Sequence, residues 1–166
     1  MNSNDIRFRF ATAEDQDVLA ALMLESNRHY WGEDDNAVDM TAASADAMIS
    51  GRSGCRAVLA FVADAPAGFA TISVLHPALN EAGTLFMKDL FVSKAARGTG
   101  LGEVFMKYLA RHAVDLGCQR FDWTAETDNE RALEFYDRIG AARVEQKVYY
   151  RFTGPELTSF ARSDVE

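Results

Sequence analysis

Six residues, Arg97-Gly98-Thr99-Gly100-Leu101-Gly102, separate the apolar stretch Thr84-Leu85-Phe86-Met87-Lys88-Asp89-Leu90-Phe91-Val92 from a segment with a helical period. In that segment Leu101, Val104, Phe105, Tyr108, Leu109, His112 and Leu116 recur at the spacing of one helix face, and Gly117 supplies a stop. Three alternating glycines remove Cβ atoms where a backbone must come close to a ligand. The helix behind them aims unpaired N–H groups and its positive dipole end at the same spot. Strand, glycine loop and helix N-terminus in this order predict an anion cradle, which a pyrophosphate would fit.

Two common nucleotide loops do not match. The dinucleotide fingerprint Gly-x-Gly-x-x-Gly would need its third glycine where Glu103 stands, and a P-loop needs Gly-Lys followed by Ser or Thr. Arg97-x-x-Gly100-x-Gly102 instead matches an acyl-CoA signature. Downstream, Asn129-Glu130-Arg131-Ala132-Leu133-Glu134-Phe135-Tyr136-Asp137-Arg138-Ile139-Gly140-Ala141 follows after one strand-like stretch, Arg120 to Ala125. It resembles the pattern Asn-x-x-Ala-x-x-Phe-Tyr-x-x-x-Gly-Phe/Ala. These two motifs, in this order, together with Ile6 to Asp15 at the start, resemble the GNAT N-acetyltransferase superfamily over most of the chain. Lys88 to Val92 and the Phe135-Tyr136 pair are most similar to diamine and other small-amine acetyltransferases.

The remaining pattern is mixed. Ile6, Phe8 and Phe10 alternate with Arg7 and Arg9, as in a strand with one buried face. Thr12 with Asp15 three residues on reads as a helix cap before Val18, Leu19, Leu22 and Met23, and Arg28 to Asp39 interrupts that helix. A second helix spans Thr41 to Ser50. Strands over Cys55 to Ala63 and Ala67 to Val74 flank a turn at Asp64-Ala65-Pro66, and His76-Pro77 opens another turn. Arg143 to Val148 and Tyr149 to Phe152 read as a terminal strand pair or one bent strand, while Pro155 to Val165 has little apolar content to hold it. The order β-α-α-β-β-β-α-β-α-β predicts an α/β fold in one domain over residues 1–166. Its mixed, strongly twisted β-sheet should carry helices on both faces. The resemblance adds a central parallel strand pair that splays apart past Val92 and leaves room for a thioester.

Composition narrows the partners. A chain of 166 residues can bury a core without staples, and a net charge of −8 argues against a nucleic-acid surface, which needs a basic face. No segment approaches the apolar length of a membrane span or a signal peptide, so a cytoplasmic protein is expected. Cys55 and Cys118 lack metal-ligand spacing and read as reduced core thiols, and no metal is expected.

Amine acetylation needs a neutral nucleophile, a polarised thioester carbonyl and a proton for the leaving thiolate. A free alkylamine with a pKa of about 10.4 must lose a proton first, at a cost of about 4–5 kcal/mol near neutrality. By resemblance, acetyl-CoA is the co-substrate and Tyr136 the general acid; read from spacing alone, Tyr136 is a packed aromatic like Phe135. Coenzyme contacts are expected from the backbone of Leu90, Phe91 and Val92 to pantetheine, and from Arg97, Gly98, Thr99, Gly100, Leu101 and Gly102 to pyrophosphate. Asn129 with Ala132 would fix the pantetheine or the loop.

Lys88 stands where diamine acetyltransferases carry a glutamate. An ammonium there either binds a substrate carboxylate and repels polycations, or points into solvent. Asp89, its neighbour, would face the opposite side of a regular strand. Glu126, at the end of the next strand, is either a base or a first-turn acid of the following helix. Tyr30, Trp31, Glu33, Asp34, Asp35 and Asp39 either wall an ammonium site or form a solvated loop. The reading is transfer to a small primary amine, diamine or polyamine, in a ternary complex. Transfer to an amino-acid or peptide amine, and a non-catalytic acyl-CoA sensor, stand beside it. The resemblance implies a homodimer paired through sheets and C-terminal strands.

Overall fold

The computed structural model describes residues 5–34, 37–76 and 83–163. The chain divides after Glu126 into two compact units. In the first, a five-stranded sheet runs in the order β1 (Ile6–Phe10), β2 (Arg56–Val62), β3 (Ala65–Leu75), β4 (Thr84–Val92), β5 (Phe121–Trp123). The first three junctions are antiparallel and the last is parallel, as a mixed α/β fold requires. Helices α1 (Gln16–Trp31) and α2 (Ala37–Ile49) lie between β1 and β2, and α3 (Leu101–Asp115) lies between β4 and β5.

Strand alternation divides the core into two layers. Ala57, Leu59 and Phe61 of β2, Phe69 of β3 and Phe91 of β4 pack with Leu19 and Leu22 of α1 and Ala45 of α2. On the opposite face Phe8 of β1, which pairs with Ala60, lies 4.8 Å from the Phe105 ring and 4.9 Å from the Tyr108 ring of α3. Helices therefore cover both faces. Leu19, Leu59, Leu85, Leu101, Phe105 and Leu109 are fully buried, and each contributes about 1.5–3 kcal/mol by leaving water.

Thr12 and Asp15 behave as the sequence suggests. The Thr12 backbone N–H (2.8 Å) and hydroxyl (2.9 Å) both donate to Asp15 Oδ2, capping a short 3₁₀ turn, Ala13–Asp15, that leads into α1. Asp15 is buried, and Arg9 Nη2 donates to its other oxygen at 2.6 Å. The Arg9 guanidinium holds this carboxyl well below the usual carboxylate range against the opposing effect of burial.

Several boundaries move. Helix α1 continues through Arg28 to Trp31, and α2 starts at Ala37 rather than Thr41, so little of the predicted break survives. The Arg28–Glu33 ion pair, 2.9 Å, closes the end of α1. The β2–β3 turn is Ala63-Asp64, both with positive φ (47° and 65°), and Pro66 already belongs to β3, opposite Phe61 beside a register shift. A two-residue turn of this hand matches the twist of a hairpin better than the three-residue turn expected. Cys118 is buried, while Cys55 is only half-buried at the start of β2.

The second unit contains α4 (Glu130–Arg138) and α5 (Gly154–Ala161). The expected strands over Arg143 to Val148 and Tyr149 to Phe152 do not form among the described residues; Val148, Tyr149, Tyr150 and Phe152 are exposed with no ladder partner. An apolar period of two does not by itself supply the neighbouring strand that a ladder needs. Beyond them, Thr153 at the N-cap position, Pro155 in the first turn and a Phe152–Phe160 ring stack at 4.7 Å support α5 where no element was expected.

Candidate active site

Strand β4 is held by β3 along its whole length but by β5 only at Leu85, Phe86 and Met87, which pair with Phe121, Asp122 and Trp123. The parallel pair thus parts after Met87, five residues earlier than the expected point past Val92, because β5 stops at Trp123 rather than Ala125. Among the described residues no strand pairs with the β5-side edge of Lys88 to Val92. Leu90, Phe91 and Val92 stay fixed through Ala70, Phe69 and Gly68 on the other side. A Cβ on Gly68 would stand 2.4 Å from the Phe91 carbonyl oxygen, so only glycine permits this close β3–β4 approach.

Beyond Val92, Ser93 is buried and its N–H donates to the Ala67 carbonyl at 2.9 Å. A 3₁₀ turn, Lys94–Ala96, follows, and the Thr99 hydroxyl donates to the Ala96 carbonyl at 2.7 Å. Gly98 and Gly100 have φ of 77° and 85°, and a Cβ on either would meet nothing within 4 Å. Glycine is needed at both for backbone conformation, and the space beside them is open. Gly100 is the N-cap of α3, so the N–H groups of Leu101 and Gly102 lie in its first turn, where no intrahelical acceptor exists. Gly102 is itself helical and carries no positive φ.

These features fit a pyrophosphate-bearing coenzyme: an open glycine loop, first-turn N–H donors and a released strand edge. Arg97 is folded back onto the strand, its Nε donating to the Val92 carbonyl at 3.1 Å and its guanidinium 5.5 Å from the Phe91 ring.

The β4 bulge changes the reading of Lys88 and Asp89. Thr71 pairs with Asp89 while the next residue, Ile72, pairs with Met87, so Lys88 is an extra residue in β4. The expected alternation fails there. Asp89 shares the face of Thr71, Phe69 and Phe91, and its Oδ2 accepts from the Thr71 hydroxyl at 2.6 Å. Lys88, largely exposed, places Nζ 3.8 Å from Asp89 Oδ1. The two form an adjacent ammonium–carboxylate couple rather than pointing to opposite faces. Nothing in the residue pattern of β4 announces the bulge, so strand alternation alone puts Asp89 on the opposite face from Lys88.

The C-terminal end of α1 lies on this face of the sheet, with the His29 ring 6.4 Å from Phe91 and 4.9 Å from Tyr30. Tyr30 and Trp31 are exposed. Glu33 is paired with Arg28, Asp34 accepts the Ala37 N–H through its carbonyl, and Asp39 lies in the first turn of α2. Asp35 falls outside the described residues. Glu126 is exposed in coil three residues past β5 rather than at a strand end.

In the second unit, Asn129 caps α4, its side-chain oxygen accepting from the Ala132 N–H at 3.2 Å. Tyr136 is half-buried on α4 with its ring 5.1 Å from Phe135. Among the described residues no cluster of His, Cys, Asp or Glu is placed to hold a metal ion, and no helix is long and apolar enough to cross a membrane.

The sequence profile of the acetyltransferase (GNAT) family matches residues 9–141. The chain belongs to this family. Membership places it among acyltransferases, a family whose acyl donor is acetyl-CoA. An integron cassette protein from the mobile metagenome of V. cholerae shares 37% identity and a TM-score of 0.88, with 96% of this chain and 99% of that one covered. L-ornithine N5-acetyltransferase NATA1 of Arabidopsis thaliana is 26% identical over 99 residues, 60% of this chain and 43% of that protein. Thialysine N-epsilon-acetyltransferase of Sus scrofa is 29% identical over 80 residues, 46% of this chain and 47% of the relative. The chain therefore spans less than half the length of these curated relatives.

Proposed function

We propose that this protein transfers the acetyl group of acetyl-CoA to a primary amine of a small molecule, directly in a ternary complex. The observation that carries the reading is the released edge of β4 running into an open, left-handed glycine loop at the N-terminus of α3. Acetyl-CoA supplies the activated thioester. The chain's part is to hold it, bind the amine and supply a proton: Leu90 to Val92 pair with pantetheine amides, and the Arg97 to Gly102 loop takes the pyrophosphate. Tyr136 protonates the leaving thiolate, a role supported by its place in the Phe-Tyr motif. The profile match across residues 9–141 supports one acyltransferase domain.

The acceptor that the Lys88–Asp89 couple suits best is an amine that also bears a carboxylate. Asp89, oriented by Thr71, would hold an ammonium on the face under His29, and Lys88 would take the carboxylate. Ornithine and thialysine, named for the two relatives, are both diamino acids. Diamines without a carboxylate are the second reading, favoured by the acidic residues at the end of α1. Glu126 and a water are the proposed routes for the amine's proton. Steady-state rates on ornithine, lysine and putrescine, with wild type and Lys88→Glu, test the assignment. Diamino acids should be preferred by the wild type, and the variant should move preference toward putrescine. An unchanged preference would overturn the role of Lys88.

We also propose a cytoplasmic homodimer. The run Val148 to Phe152, exposed and without a ladder partner among the described residues, supports pairing with a second copy. Size-exclusion chromatography with light scattering should give twice the chain mass; a monomer at all concentrations contradicts it.

A further inference from the structure

The glycine loop is anchored from an unexpected direction. Ser93 occupies the N-cap position of the Lys94–Ala96 turn, yet its side chain makes no capping bond. The first N–H of that turn, Lys94 N, donates instead to Glu25 Oε1 at 2.8 Å, across 69 residues of sequence. Glu25 belongs to α1, one turn after Leu22, which is buried in the core with Phe91, and one turn before His29, which faces the same ring. Its backbone is therefore held by packing on both sides. The turn it caps passes directly into the loop, through Arg97 N to the Lys94 carbonyl at 3.4 Å and Thr99 Oγ to the Ala96 carbonyl at 2.7 Å.

We propose that Glu25 is a positioning residue for the coenzyme loop, fixing where the glycine backbone presents its N–H donors; this rests on the acetyl-CoA reading above. The carboxylate acts as a hydrogen-bond acceptor, and its charge opposes an anion nearby. Acceptor and charge therefore separate on substitution. Glu25→Gln keeps an oxygen for Lys94 N and removes the charge, so it should bind CoA at least as tightly as the wild type. Glu25→Ala loses the acceptor and should weaken CoA binding about five- to tenfold, the scale of one ordinary intramolecular hydrogen bond, since the lost bond holds the loop and not the coenzyme itself. KM for acetyl-CoA should rise with it while kcat stays unchanged.

The experiment is calorimetric titration of CoA into the wild type and both variants, alongside hydrogen exchange at the Lys94 amide and thermal unfolding. The expected order of affinity is Gln at or above wild type, with Ala below both, and faster Lys94 exchange only in the Ala variant. Equal affinity of wild type and Glu25→Ala, or an equal loss in Gln and Ala, overturns the role. A wild type that binds no CoA overturns the coenzyme reading instead, and the exchange data still report whether Glu25 holds the turn. Should Glu25→Ala fail to fold, a Glu25→Gln variant with weakened CoA binding overturns the proposal by itself.

Discussion

Replacing Gly100 with alanine separates what this position does for folding from what it does for binding. Its φ of 85° lies in the left-handed region, where an L-residue loses about 1–2 kcal/mol. Alanine also restricts the unfolded chain, which returns about 0.4–1 kcal/mol. A Cβ there meets no atom within 4 Å, so no packing penalty adds to this balance. The net loss is about 1 kcal/mol, a fall in Tm of ~2–4 °C for a domain of this size. The same open space is where the coenzyme would approach. A methyl group that displaces one backbone N–H from an anionic oxygen removes about 1.5–3 kcal/mol, or roughly ten- to a hundredfold in Kd. Thermal unfolding without ligand and calorimetric titration of CoA measure the two effects separately. A small Tm loss with unchanged CoA affinity would refute the cradle. A Tm loss beyond about 10 °C would refute the argument that the space is open.

Three other substitutions probe the remaining links. Tyr136→Phe should lower kcat ~100-fold with little change in KM for acetyl-CoA, measured by initial rates; full activity removes the tyrosine from proton transfer. Gly68→Ala should cost about 3 kcal/mol or more in chemical denaturation, because its Cβ would press on the Phe91 carbonyl and force β3 from β4. Asp15→Asn should cost about 1–3 kcal/mol at neutral pH, since it breaks the pair that buried Asp15 makes with the partly exposed Arg9. The Asp15 carboxyl is held below its unfolded value of about 3.9, so its contribution is complete above that pH and fades as pH falls further. Denaturation profiles of wild type and variant should therefore converge on acidification, and parallel profiles down to pH ~2 would contradict the pairing.

What could be read from the residues was what local chemistry determines. The alternation of Ile6, Phe8 and Phe10, the Thr12–Asp15 cap and the α3 stripe each appear where their pattern places them. Gly98 and Gly100 take the positive φ that only glycine adopts cheaply. The end of the parallel pairing at Met87 was misplaced because β5 closes early, which depends on tertiary packing and not on the apolar run Arg120 to Ala125. Asp89 was placed on the wrong face because a bulge is a mismatch between two strands, and neither strand records it alone. Glu25 was missed for a similar reason, since its partner is a backbone N–H without a residue signature. The run Val148 to Phe152 shows the converse: the apolar pattern of a strand is present, and no partner strand pairs with it among the described residues.

The most direct test of the central claim is the initial rate of free CoA release from acetyl-CoA across diamino acids, diamines, polyamines and aminoglycosides, with the product identified by mass. Saturable release together with an acetylated primary amine is the predicted result. Tight CoA binding without turnover on any amine would contradict it and leave a coenzyme-binding module in place of an enzyme.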